Sequence, residues 1–127
     1  MKIAVVCRVY NESSMIHDFL DHYRRIATGG FYFYDDGSTD GTVSILENES
    51  NVKHVIKGKR LPIVESHDQQ NPQRKQIMDV ALNDLTENDY ILLLDADEFI
   101  EFTIPPFEIT NDLIHFHLFD SYITEKD

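Results

Sequence analysis

The chain has 127 residues, a single cysteine and 23 acidic against 11 basic residues, a net charge of −12. So acidic a balance excludes the usual duplex nucleic-acid binder, whose affinity comes from basic residues neutralising phosphates, so no nucleic-acid partner is expected. The length predicts one domain over 1–127. Cys7 has no partner for a disulfide within the chain and, inside an apolar run, reads as a small buried hydrophobe. Lys2 is followed by only five apolar residues before Arg8, which is not a signal-peptide pattern. No apolar run approaches the ~20 residues of a transmembrane segment, so a cytoplasmic setting is the expectation.

Ile3-Ala4-Val5-Val6-Cys7 predicts a buried strand halted by Arg8. Val9-Tyr10-Asn11-Glu12 predicts a turn, with Ser13 or Ser14 as the N-cap of a helix. In that helix Ile16, Phe19, Leu20, Tyr23 and Ile26 share one face, and Gly29-Gly30 is the expected stop. Phe31-Tyr32-Phe33-Tyr34 is a second strand, and the turn-rich Asp35–Thr42 segment leads into a short helix carrying Val43 and Leu46. Val52–Ile56 is a third strand. Residues 57–71 show little periodicity and read as a loop, after which Asn71-Pro72 is expected to open a helix, with Asn as cap and Pro in the first position. Ile77, Ala81, Leu82 and Leu85 give that helix its buried stripe. Tyr90–Leu94 is a continuous apolar run, expected to be buried on both faces as in a parallel sheet. After a Pro105-Pro106 break, Ile114, Phe116 and Leu118 alternate with His115 and His117 as a last strand. Repeated strand–helix alternation predicts an α/β sandwich around a parallel sheet.

Three of these strands end in polar clusters: Arg8 with Tyr10-Asn11-Glu12, Asp35-Asp36, and Asp95-Ala96-Asp97-Glu98. In a parallel sheet the three carboxyl ends share one edge, where open α/β sheets bind ligands. Asp95 and Asp97 point the same way if extended geometry continues through them. Hard oxygen donors so placed suit magnesium, manganese or calcium; a solvated turn that ends a core strand is the other reading. Lys57-Gly58-Lys59-Arg60 and Arg74-Lys75 bring five of the eleven basic residues toward the same crevice, where they could clamp a diphosphate. Arg74 is favoured because it lies near the expected helix start, whose free N–H groups attract anions; the lysines read equally well as a solvated loop. His115 and His117 share a strand face, and exposed strand histidines account for them better than metal ligation does. Asp36–Gly41, with Glu47 in the twelfth place, approximates a calcium-binding EF-hand loop, but the residues before it form a strand where that motif needs a helix.

Taken in order, Val9-Tyr10-Asn11-Glu12, Asp35–Thr42 and Leu94-Asp95-Ala96-Asp97-Glu98-Phe99 resemble family 2-like glycosyltransferases, in the branch with an Asp-x-Asp-Glu-Phe signature. The resemblance covers nearly the whole chain. It implies a GT-A fold, a Rossmann-like three-layer sandwich with a mostly parallel central sheet. It also implies transfer of a sugar from a nucleotide-sugar donor to an acceptor hydroxyl, usually with inversion. By the same resemblance, Tyr10 and the backbone around Arg8 border the base, and Asp36 bonds base or ribose. Asp97 holds the manganese or magnesium that bridges the diphosphate, and Asp95 assists through ribose or a water. The donor-binding set is then Arg8, Tyr10, Asn11, Glu12, Asp36, Arg74 and Asp95, and the metal set Asp95 and Asp97. Leu94-Asp95-Ala96-Asp97 also weakly resembles the nucleophile motif of haloacid-dehalogenase-type phosphatases, with Phe99 where Thr or Val is usual.

Glycosyltransferases of this kind usually extend further, into an acceptor site that carries the catalytic base. The expectation is therefore a donor-binding domain truncated relative to the family. Glu98, Glu101 and Asp120 are its available carboxylates, none at the family's base position. An apolar flank around Phe107, Phe116 and Phe119 is expected to favour self-association. The alternative is a non-catalytic nucleotide- or metal-binding module, or the donor-binding half of a larger enzyme. Donor sugar, base and acceptor, whether glycan, lipid or protein, are not written in these residues.

Overall fold

A computed structural model describes residues 1–60 and 63–101, the side chains of 63–71 excepted. The Pro105-Pro106 break, the strand with His115 and His117, Asp120, and Phe107, Phe116 and Phe119 lie outside the described residues. The chain divides into two units, Met1–Asp97 and Glu98–Asp127. All the described strands and helices belong to the first: β1 (Ile3–Val9), α1 (Ile16–Tyr23), β2 (Gly30–Asp35), α2 (Thr42–Glu47), β3 (Val52–Lys57), α3 (Ile63–Asp84) and β4 (Tyr90–Asp95).

The strands form one sheet in the order β3-β2-β1-β4, and every neighbouring pair is parallel. This is an α/β fold with a parallel sheet, of the Rossmann-like kind. Side chains alternate across it, and the alternation sorts the core into two halves. On one face Ala4 and Val6 of β1 and Tyr32 and Tyr34 of β2 pack with Ile77 and Ala81 of α3, with Ile91 of β4 against them. On the other face the stacked rings of Phe31 and Phe33 meet Phe19 of α1, their centroids 6.4 and 6.2 Å from its own. With α2 beside α1, the result is three layers.

β1 is buried at every position but Arg8, and β2 throughout. β4 differs from expectation: Leu92 and Leu94 are buried, but Leu93 is 41% exposed. Among the described residues β4 ends the sheet, and α3 packs on β1 and β2, which leaves Leu93 uncovered. Burial on both faces thus belongs to β1 and β2.

Three helix boundaries also differ from the sequence reading. Neither Ser13 nor Ser14 caps α1; Met15 stands at the N-cap without a side-chain bond. The backbone oxygen of Glu12 accepts from Met15 N–H and Ile16 N–H, so a tight turn satisfies the donors a serine would have taken. That helix stops at Tyr23 and not at Gly29-Gly30: Ile26 and Ala27 donate to the Tyr23 oxygen, and Gly30, at φ 90°, already begins β2. Finally, α3 starts at Ile63 and carries Pro72 inside it. Proline removes one backbone donor without forbidding helix on either side. The preceding turns are polar from Glu65 to Asn71, so no apolar stripe marked them.

Candidate functional site

The alternation that builds the core also places the polar residues at its carboxyl edge. Arg8 follows Ala4 and Val6 on the α3 face of β1, and Asp36, just past β2, continues the row of Tyr32 and Tyr34 on the same face. Gln73 of α3 reaches both. Arg8 Nη2 donates to Asp36 Oδ2 at 2.6 Å, Arg8 Nε to Gln73 Oε1 at 2.5 Å, and Gln73 Nε2 to Asp36 Oδ1 at 2.9 Å. Arg60 Nη1 adds a bond to Asp36 Oδ2 at 2.6 Å. Asp36 is 0% exposed and Gln73 5%. A carboxylate so buried is tolerable only when paired and hydrogen-bonded, and two guanidiniums and an amide meet that need. Beyond Asp36, the Arg60 guanidinium carbon lies 3.8 Å from the centre of the Tyr10 ring, a cation–π contact.

Asp35, one position earlier, faces the opposite way and builds the next loop. Its Oδ2 accepts from the Gly37 and Ser38 N–H groups, and its Oδ1 from the Ser38 hydroxyl. The turn after β1 clasps that loop through Asn11, which takes the left-handed conformation at φ 50°. Asn11 N–H donates to Ser38 Oγ at 2.8 Å, and its Oδ1 accepts from Thr39 N–H at 2.8 Å and Asp40 N–H at 3.3 Å. Glu12 N–H donates to Thr42 Oγ1, and Ser13 N–H to Asp40 Oδ2. Donation from the Thr42 hydroxyl, with further bonds from Thr42 and Ser13 N–H, holds the Asp40 carboxyl down at about 2.

Between these loops and the end of β4 lies a crevice of about 360 Å³. Three arginines, Arg8, Arg60 and Arg74, and three carboxylates, Glu12, Asp95 and Asp97, line it, with Tyr10 and Ala96 completing the wall. Arg74 Nη2 donates to Asp95 Oδ1 at 2.7 Å. Burial, and then the nearby charges of Asp97, Asp40 and Asp95, push the Glu12 carboxyl up from its ordinary value. The acidic side of the crevice is therefore self-repelling, and its hard oxygen donors suit a divalent cation. No group of three or more His, Cys, Asp or Glu able to hold a metal occurs among the described residues. That donor set fits a cation which takes one or two carboxylates and completes its shell with phosphate oxygens and water, as magnesium does.

Of the residues singled out in the sequence, Arg8, Tyr10, Glu12, Arg74, Asp95 and Asp97 line this one crevice, while Asn11 and Asp36 do not. Asn11 ties two loops together; Asp36 stands behind the arginines it anchors. The extended geometry expected through Asp95 and Asp97 stops at Asp95, because Ala96 and Asp97 turn, yet both carboxylates reach the crevice. Arg74 lies well inside α3 and not at its N-terminus, so the helix-end argument for it falls while its position stands. Of the basic run, Lys57 turns away to Glu47 and Lys75 to Asp79. Arg60 reaches the crevice because two glycines let its segment lie close: a side chain on Gly58 would strike Tyr34, and one on Gly37 would strike the Arg60 backbone. Gln73 was missed, since a lone glutamine in a polar stretch carries no pattern. β2 precedes the Asp36–Gly41 segment, which bears out the objection to an EF-hand.

Fold and crevice together define the class: a parallel α/β protein with a charged crevice beyond the carboxyl edge of its sheet, the edge where such folds bind ligands. Within that class, the model of Glycosyl transferase family 2 matches residues 4–104, and the chain belongs to that family. It is a glycosyltransferase domain, as its three strand-end motifs imply. No curated protein and no solved structure gives a match to the chain. Among the described residues no helix is long and apolar enough to cross a membrane.

Proposed function

We propose that this crevice binds a nucleotide-sugar donor with manganese or magnesium and that the sugar passes to an acceptor hydroxyl. The observation that carries the reading is the pairing, in one crevice, of a guanidinium set with a self-repelling carboxylate set. Asp97 and Asp95 would hold the cation. Arg8 and Arg74 present planar forks of the kind that bind phosphate oxygens in pairs. Tyr10, with Arg60 over one face, borders the base. Asp36 acts on the donor through Arg8 and Arg60, since its own oxygens already accept three bonds. When bound, the cation supplies charge stabilisation to the leaving nucleoside diphosphate. Glu98, Glu101 and Asp120 remain the carboxylates to test as the base that removes the acceptor proton.

The test is thermal unfolding of the chain with a panel of nucleoside diphosphates, each with and without manganese. Ligand at a hundred times its Kd adds about 2.7 kcal/mol, an easily read shift in Tm. The expected result is stabilisation by at least one diphosphate that is largest with manganese. No shift from any member of the panel would overturn the reading.

A further inference from the structure

We infer that Gln73 is a positioning residue for phosphate binding: its buried amide stands between Arg8 and Asp36 and holds the Arg8 guanidinium in the one orientation that leaves it open to the donor's diphosphate. The inference rests on the donor reading above and names what aims one of its phosphate-binding groups.

Three side chains bond Asp36, and Gln73 is the uncharged one. It lies on α3, 5% exposed, between a guanidinium and a carboxylate. Arg8 Nε can only donate and an ionised Asp36 can only accept, so the amide has one workable orientation. Its oxygen takes Arg8 Nε at 2.5 Å, and its nitrogen gives to Asp36 Oδ1 at 2.9 Å. A side chain in this place needs an acceptor and a donor together, which an amide has and an ionised carboxylate or a thioether lacks.

Both bonds decide how Arg8 presents itself. Gln73 and Asp36 share its Nε–Nη2 edge, one acceptor to each nitrogen. Arg8 Nη1 bonds nothing among the described residues, and Arg8 lines the crevice. By holding Oδ1, the amide also keeps Arg8 from the two-bond pairing that guanidiniums form with carboxylates. Without it, both Asp36 oxygens would be open to Arg8 through either edge of the fork. One such pairing consumes Nη1, and each draws the guanidinium toward a group that is 0% exposed. With the amide in place Arg8 is aimed before any ligand arrives, and a group ordered beforehand costs less to order on binding. Arg74, the next residue of α3, lines the same crevice, so one turn of helix sets two of its guanidiniums.

Calorimetry with inorganic pyrophosphate, with and without manganese, tests this across a pH series. Each variant is measured well below its own Tm, so that only folded protein is compared. Gln73→Met keeps the volume without the two bonds, and should bind pyrophosphate about tenfold or more weakly than wild type at every pH. Gln73→Glu is the conservative variant. Protonated, its carboxyl can give to Asp36 and accept from Arg8 as the amide does; ionised, it has no proton to give and repels Asp36. Relative to wild type at the same pH, it should bind about tenfold or more weakly near pH 8 and recover to within about threefold near pH 5. Rescue by a proton is a response that a merely structural residue would not give. If the methionine variant has a lowered Tm, the pH series of the glutamate variant carries the test. Wild-type affinity in the methionine variant, or no recovery at low pH in the glutamate variant, would overturn the positioning role while the donor reading stands. If wild type binds neither pyrophosphate nor any nucleoside diphosphate, with or without manganese, the donor reading and this inference fall together.

Discussion

Two acid clusters close strands of the same sheet, and the fold uses them in opposite ways. Asp36, just past β2, is 0% exposed and accepts bonds from Arg8, Arg60 and Gln73. Asp97, just past β4, is exposed in the crevice and has no ion pair among the described residues. The first carboxylate has already been neutralised by the protein, so its work is to aim arginines. The second stands open to the crevice, and it helps push the Glu12 carboxyl up. Identical side chains at equivalent strand ends thus differ in burial and partners, and those decide which one organises the protein and which one faces the open crevice.

Breaking the buried cluster should have the largest effect. Asp36→Ala leaves two arginines and a glutamine without their shared acceptor, and removing one member of a buried ion pair costs about 3–5 kcal/mol. Urea denaturation should show that loss. A stability close to wild type would mean that Asp36 is not the anchor its bonds suggest. Breaking the exposed cluster should spare the fold: Asp97→Asn is expected to change stability by no more than about 0.5 kcal/mol, as is usual for surface sites. Calorimetry with manganese and a nucleoside diphosphate should nonetheless show binding reduced to the limit of detection. Equal damage to stability from both substitutions would erase the contrast.

The smallest effect sharpens the contrast by pH. Glu12 has a folded-state pKa raised above its ordinary 4.5. Its contribution to stability is therefore full below 4.5 and is lost as pH rises through the raised value. Asp40 is shifted the other way, from 3.8 to about 2, so its contribution is present above 3.8 and is lost as pH falls toward 2. Stability from these two groups should thus rise slightly as pH is lowered from neutral toward 4.5 and fall below 3.8. Denaturation series across pH should show Glu12→Gln flattening the first limb and leaving the second intact. Persistence of the first limb in that variant would place the repulsion elsewhere.

Much of this was legible in the sequence, for identifiable reasons. The strands announce themselves because Ile3–Cys7, Phe31–Tyr34 and Tyr90–Leu94 are apolar runs, and parallel topology then obliges their carboxyl ends to share an edge. That alone brought Arg8, Tyr10, Glu12, Asp95 and Asp97 together. What stayed hidden depends on long-range approach. Asp36 and Asn11 could be assigned to the site region but not to their partners, because facing the ligand or facing the protein depends on residues far along the chain, such as Gln73. Arg60 sits in a basic run expected near the crevice, but nothing local separates it from Lys57 and Lys59; the close approaches at Gly37 and Gly58 are what carry it there. The first turns of α3 were invisible because their residues are polar and the one strong local signal, Pro72, marks a helix start more often than an interior.

The strand order has a kinetic consequence. β1 lies between β2, its near neighbour in the chain, and β4, the last of the described strands to be made. The β1–β2 ladder, together with Arg8, Asp36 and Arg60, can assemble as soon as β3 has left the ribosome. The β1–β4 ladder joins Ile3 to Tyr90 and Arg8 to Asp95, so it must close a loop that spans most of the described chain. Such closures are slow, and until this one occurs an edge of the most apolar strand lies open to other chains. The nascent protein therefore has Arg8, Glu12 and Arg60 before it has Asp95 and Asp97. During that interval it should be most prone to aggregation and most dependent on chaperones.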